Sequence, residues 1–198
     1  MNAIELNHIC KSFGEFAIRD LSLTVPSGTI CGLVGENGAG KSTTIRLALG
    51  ALRPDGGSAA VLGTDVSSPA FTGVKEDVGV VLDEAYFPET LNALQVGRIL
   101  ASTYRQWEQG TYESYLSRFG LPEKKQFKDF SRGMKMKLAI AAALSHRPRL
   151  LVLDEATSGL DPIVRDEVLE IFNDFTREED HSILISSHIV SDLEKLCD

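Results

Sequence analysis

Gly35-Glu36-Asn37-Gly38-Ala39-Gly40-Lys41-Ser42 stands between an apolar run at 30–34 and a helical pattern at 43–49. The octet fits the spacing G-x-x-x-x-G-K-[ST], and a strand before it with a helix after it is the setting that spacing requires. Glycines let backbone N–H groups curl around an anion without Cβ clashes, and the following helix turns its positive dipole end to the same point. The octet therefore reads as a cradle for a phosphate chain. Gly35, Asn37, Gly38, Ala39, Gly40 and Thr43 form or flank the cradle, Lys41 reaches the outer phosphates, and the Ser42 hydroxyl ligates Mg²⁺. The competing reading is a glycine-rich turn that caps an ordinary helix.

Outward from the octet, residues 3–9 alternate apolar and polar as a half-buried strand does, and 16–25 reads as a second strand closed by the turn Pro26-Ser27-Gly28. Residues 29–34 are apolar enough for a central strand. Residues 53–58, Arg-Pro-Asp-Gly-Gly-Ser, read as a loop, and 61–63 and 78–82 as short strands. Helical patterns follow at 91–104, 111–119 and 131–145. Then come a buried strand at 150–153, a helix at 162–175 with Pro162 at its start, a buried strand at 183–185 and a helix at 189–196. Apolar strands alternating with helices imply a parallel sheet with crossover helices, and the all-helical middle reads as an insertion into that α/β core. The expected division is a core first part at 1–82, a helical subdomain at 83–146 and a core second part at 147–198.

The strand at 150–153 runs into Asp154-Glu155. Its end is the carboxyl edge of a parallel sheet, where such folds bind ligands. Asp154 suits Mg²⁺, and Glu155, pointing differently, suits proton abstraction from an attacking water. Two solvated acids at a strand end are the bland alternative, which the phosphate cradle disfavours.

Composition narrows the field. The 198 residues are 43% hydrophobic and 24% charged with a net charge of −8, ordinary globular values that disfavour general nucleic-acid binding. Cys10, Cys31 and Cys197 are odd in number and far apart, so neither a zinc cluster nor a disulfide framework is expected. The start of the chain carries no apolar signal segment, and no apolar run approaches a membrane span. The expectation is a soluble chain, or one attached to a membrane only through a partner.

With these motifs in place, the chain resembles the ATP-binding subunit of an ABC transporter along essentially its whole length. The resemblance implies an α/β P-loop NTPase fold with a mostly parallel sheet, flanking helices, an N-terminal antiparallel β region and an inserted all-helical subdomain. It implies ATP and Mg²⁺ as ligands. Phe13, in Lys-Ser-Phe-Gly, matches the aromatic that stacks on adenine, although a lone Phe there is more often core. Ser131-Arg132-Gly133-Met134 stands at the signature sequence, with Ser131 and Gly133 retained; Ser131 also reads as a helix N-cap. Asp161, in Ser158-Gly159-Leu160-Asp161, matches the loop after the carboxylates, and His188 the switch histidine, where an isolated His is more often a cap or surface residue. The resemblance further implies head-to-tail closure of two ATP-binding subunits, Ser131 and Gly133 of one completing the site of the other. Membrane-spanning partner subunits and a cytoplasmic place on the inner face of the cell membrane follow from it. A lean toward export comes from the same likeness.

Three departures stand out. Asp83, followed by Glu84, occupies the place of the usual Gln that senses Mg²⁺; either Asp83 takes that metal role or both acids are solvated. Arg132 and Met134 replace the usual Gly and Gln. The segment 124–137 carries six basic residues against one acid, with only Phe127 and Phe130 as aromatics, too few for a nucleic-acid platform. Relatives usually continue past the point where this chain ends, which raises the expectation of a truncation. Two other classes compete: a soluble ABC-type mechanoenzyme not tied to transport, and a non-hydrolysing nucleotide-binding regulator, against which Glu155 and His188 argue.

Overall fold

The computed structural model describes residues 1–83 and 87–196; Glu84 and Cys197 lie outside the described residues. Two sheets organise the chain. β1 (Asn2–Phe13) and β2 (Phe16–Pro26) form an antiparallel hairpin, and β1 also pairs antiparallel with β4 (Gly56–Val61), which pairs with the short β5 (Thr64–Asp65), in the order β2-β1-β4-β5. The alternation in β1 buries Ile4, Leu6 and Ile9. Gly56-Gly57-Ser58, expected in a loop, are strand residues, with Asn7 opposite Ser58 and Cys10 opposite Gly56. The reason is crowding: a Cβ on Gly57, which has φ 85°, would lie 2.4 Å from the His8 carbonyl oxygen, so the strand needs glycine where turn chemistry also favours it.

The second sheet is parallel, in the order β3 (Ile30–Val34), β8 (Ser182–Ser187), β7 (Leu150–Asp154), β6 (Val78–Val81). β3 lies at one edge of this sheet, not in its centre as its apolar run suggested, and Val34 is 58% exposed. β7 is buried along its whole length. Leu151 and Leu153 enter one core with Ile183 and Ile185. Leu150 and Val152 enter another with Leu184 and the antiparallel sheet. Burial on both faces explains why β7 and β8 read as continuous apolar runs rather than alternating ones. Each fully buried Leu or Ile here contributes roughly 1.5–3 kcal/mol.

Seven helices complete the described residues: α1 (Lys41–Ala48), α2 (Phe71–Val74), α3 (Ala93–Thr103), α4 (Gln109–Arg118), α5 (Arg132–Leu144), α6 (Pro162–Phe175) and α7 (Val190–Leu196). Only α2, a single turn, had no counterpart in the sequence reading. α3 starts on a reciprocal cap: Asn92 Oδ1 accepts from Gln95 N, and the Asn92 N–H donates to Gln95 Oε1, both at 3.0 Å. α3, α4 and α5 pack around Tyr112, which is fully buried and whose hydroxyl donates to the Ala93 carbonyl at 2.9 Å. No helix among the described residues is long and apolar enough to cross a membrane.

Candidate nucleotide site

The loop from β3 to α1 is built on left-handed glycines, Gly38 at φ 85° and Gly40 at φ 96°. A Cβ on Gly40 would sit 2.8 Å from Cζ of Phe16, so both conformation and space demand glycine there. Gly40 caps α1 without a side-chain hydrogen bond, and the first turn of α1 carries no acid. The N–H groups of that turn are thus left to an anion, with the helix dipole aligned behind them. Ala39 tightens the loop by donating to the Glu36 carbonyl at 3.1 Å.

Lys41 is 8% exposed and folds back over the loop. Its Nζ donates to the carbonyls of Gly35 at 2.6 Å and Glu36 at 3.2 Å, and lies 3.4 Å from Oε1 of Glu155. A cavity of about 270 Å³ opens here, lined by Phe16, Glu36, Asn37, Gly38, Gly40, Lys41, Ser42, Thr43, Asp83 and Glu155.

The end of β7 supplies the acids. Asp154 lies opposite Ser186 in the ladder, is 1% exposed, and accepts from Ser186 Oγ at 2.5 Å. Glu155 then leaves the strand at φ 52°, a left-handed conformation costing a non-glycine residue about 1–2 kcal/mol. The turn is held by the Glu155 N–H, which reaches both the carbonyl and the Oγ of Ser186 at 3.1 Å. It separates the two carboxylates: Asp154 stays beneath the sheet edge while Glu155 reaches the cavity. Oε2 of Glu155 lies 2.6 Å from Nδ1 of His188, which therefore carries the proton of that bond when the carboxylate is ionised. Oε1 is buried and has no hydrogen-bond partner among the described residues.

These features fit a polyphosphate and its metal. An uncapped helix start, a buried lysine and the Glu155 carboxylate facing it converge on one cavity. Among the described residues no group of three or more His, Cys, Asp or Glu is gathered as a metal cage. Mg²⁺ takes one or two protein oxygens and completes its shell with phosphate and water. Ser42 and Asp83 line the cavity; Asp154, hydrogen-bonded to Ser186, does not.

Other expected site residues lie elsewhere. Phe13, at the end of the β1–β2 hairpin, is 46% exposed, with the Lys11 ammonium 5.5 Å from its ring centre. The aromatic that lines the cavity is its register partner Phe16. The sequence reading passed over Phe16, although the nearness of both rings to one hairpin turn was a usable signal. Ser131 caps α5, accepting from the Met134 N–H at 3.2 Å, and Asp161 caps α6, accepting from the Val164 N–H at 3.1 Å. Neither lines the cavity, and nor does Gly133, whose nearest outside neighbours are Gly159 and Leu160.

A phosphate loop on the first helix of a mostly parallel α/β sheet, with paired carboxylates at the adjoining strand end, defines a P-loop nucleotide-binding domain. The profile of the family described as ABC transporter matches residues 18–158, and the chain belongs to that family. It is 35% identical over 198 residues to the bacitracin transport ATP-binding protein BcrA of Enterococcus faecalis, covering 98% of this chain and 64% of that one. It is 34% identical over 198 residues to the lantibiotic transport ATP-binding protein SrtF of Streptococcus pyogenes, covering 98% of this chain and 84% of that one. A solved structure described as the ATP binding subunit of an ABC transporter superposes with a TM-score of 0.87 at 28% identity, covering 99% of this chain and 83% of that one. The chain thus spans less than two thirds of the length of the bacitracin transport relative.

Proposed function

We propose that this chain is the ATP-binding and ATP-hydrolysing subunit of an ABC transporter, working in export. The observation that carries the reading is the meeting of Lys41 and Glu155 at one cavity beside an uncapped helix start, with His188 hydrogen-bonded to Glu155. Bound ATP, with Mg²⁺, supplies the phosphoanhydride bond whose hydrolysis releases free energy. The backbone N–H groups from Gly38 to Thr43 hold the phosphates, and Lys41 offsets their charge. Ser42, Asp154 and Asp83 would hold Mg²⁺, which would offset charge on the phosphate oxygens. Glu155 takes the proton of the attacking water, and His188 orients the Glu155 carboxylate. Phe16, which lines the cavity, and its exposed register partner Phe13 are the aromatics proposed to meet a base.

Ser131 and Gly133, at the start of α5 and away from the cavity, would complete the site of a neighbouring subunit closing head to tail. ATP favours the closed pair because only that state makes both sets of contacts. Membrane-spanning subunits would take up the motion, with this chain peripheral on the cytoplasmic face. The likeness to the bacitracin and lantibiotic transport ATP-binding proteins supports transport of such compounds over a mechanoenzyme role.

The test is Glu155→Gln, measured for ATP binding and for steady-state hydrolysis. Binding is retained and turnover falls about 10²–10⁴-fold. Turnover at the wild-type rate would remove Glu155 as the base.

A further inference from the structure

Arg165 stands in the first turn of α6, its N–H donating to the Asp161 carbonyl at 2.9 Å. Its guanidinium faces two partners. Nη2 donates to the Leu160 carbonyl at 3.4 Å, and Nε lies 3.9 Å from Oδ2 of Asp192. Asp192, in α7, is 2% exposed. Both Arg165 Nε and Asp192 Oδ2 are buried without a hydrogen-bond partner among the described residues. A buried carboxylate is costly unless a cation offsets it, and Arg165 is the cation that faces this one.

The position of the pair gives it a consequence. Leu160 belongs to the loop that leaves Glu155, where the Ser158 N–H donates to the Glu155 carbonyl at 2.9 Å. Asp192 follows His188 at the start of α7, and the His188 ring lies 2.6 Å from Glu155. The chain therefore closes a ring: from Glu155 through the loop to Arg165, across the ion pair to Asp192, and back through His188 to Glu155. Two non-covalent links close it. One is the Glu155–His188 hydrogen bond at the cavity; the other is the Arg165–Asp192 pair behind it.

We infer that Arg165 and Asp192 are positioning residues for His188: their buried pair fixes α7 against the loop after Glu155 and so holds the imidazole on that carboxylate. The inference rests on the proposed role of Glu155. The Nε–Oδ2 separation is 3.9 Å. One further methylene, as in Glu, closes it. Lysine in place of Arg165 keeps the charge but lacks the fork that serves Leu160 and Asp192 together.

The test uses the purified full chain with Arg165→Ala, Arg165→Lys, Asp192→Asn and Asp192→Glu. It reads a fluorescent ATP analogue for affinity, kcat and KM for ATP, and the ring nitrogen resonances of His188 without nucleotide. In Arg165→Ala and Asp192→Asn, kcat falls about 10-fold or more. KM and affinity stay within about twofold, and the His188 resonances move. Arg165→Lys is intermediate, and Asp192→Glu matches or exceeds wild type. Unchanged kcat and unmoved His188 resonances in the first two variants would overturn the inference, as would a loss seen only in KM. If those variants do not fold, Arg165→Lys decides: wild-type kcat and His188 resonances there overturn it equally. Should the wild type neither bind nor hydrolyse ATP, the proposed function fails, while the His188 resonances still report whether the pair holds the ring.

Discussion

Lys41 carries much of the site's electrostatics. It neutralises the mouth of the loop by donating to two carbonyls and lies within ion-pair range of Glu155. A phosphate chain offers the same ammonium stronger, charged acceptors. Lys41→Ala removes that exchange and is expected to weaken Mg-ATP binding about 100-fold, measured by titration calorimetry. At this scale the sequence was readable where spacing alone sets geometry. Lys41 and Ser42 follow from the octet, and Asp154 and Glu155 from a strand that ends in acids. The sequence reading passed over Phe16, for which nearness to the hairpin turn was the one usable signal. Phe13 and Phe16 are register partners across one hairpin, and only the packing of that hairpin on the loop puts Phe16 against Gly40 and the cavity.

Among the elements, helix starts were legible because capping is local chemistry. Ser131 and Asp161 cap α5 and α6 as their positions require. Ser131 has two proposed duties, cap and contact to a neighbouring nucleotide, and one substitution separates them. Asn caps as well as Ser, so Ser131→Asn is expected to keep the melting temperature of the wild type. Its ATPase rate is expected to fall, because the hydroxyl is gone. Unchanged hydrolysis together with an unchanged melting temperature would leave Ser131 a cap alone. Strand placement was less legible. β3 has the composition of an inner strand and stands at an edge, because pairing partners come from elsewhere in the chain. Gly56 to Ser58 have turn composition and lie in β4, because backbone crowding against His8 also selects glycine.

For the whole molecule, His146 marks where the helical middle meets the parallel sheet. It follows α5, is 2% exposed, stacks on Tyr104 at 4.0 Å, and lies 3.3 Å from the Val78 carbonyl and 3.4 Å from that of Ala142. Burial holds its protonation below the ordinary histidine value, and the two carbonyls offset this only in part. The unfolded chain therefore binds the proton first. Stability is at its full value above about pH 6.5 and declines as pH falls below it, toward the lower folded value. His146→Gln is expected to flatten that decline, read as melting temperature against pH from 7.5 to 5. An unchanged slope would assign the pH dependence to other groups.

The octet, the apolar strand ending in Asp154-Glu155 and the helix caps were set by the chain's local order, because each depends on residues a few positions apart. Folding alone decided which distant residues meet: Lys41 with Glu155, Glu155 with His188, Arg165 with Asp192, and Phe16 with Gly40. Those meetings depend on strand order, register and the packing of two cores on opposite faces of β7. Those are properties of remote segments brought together, which no local pattern specifies.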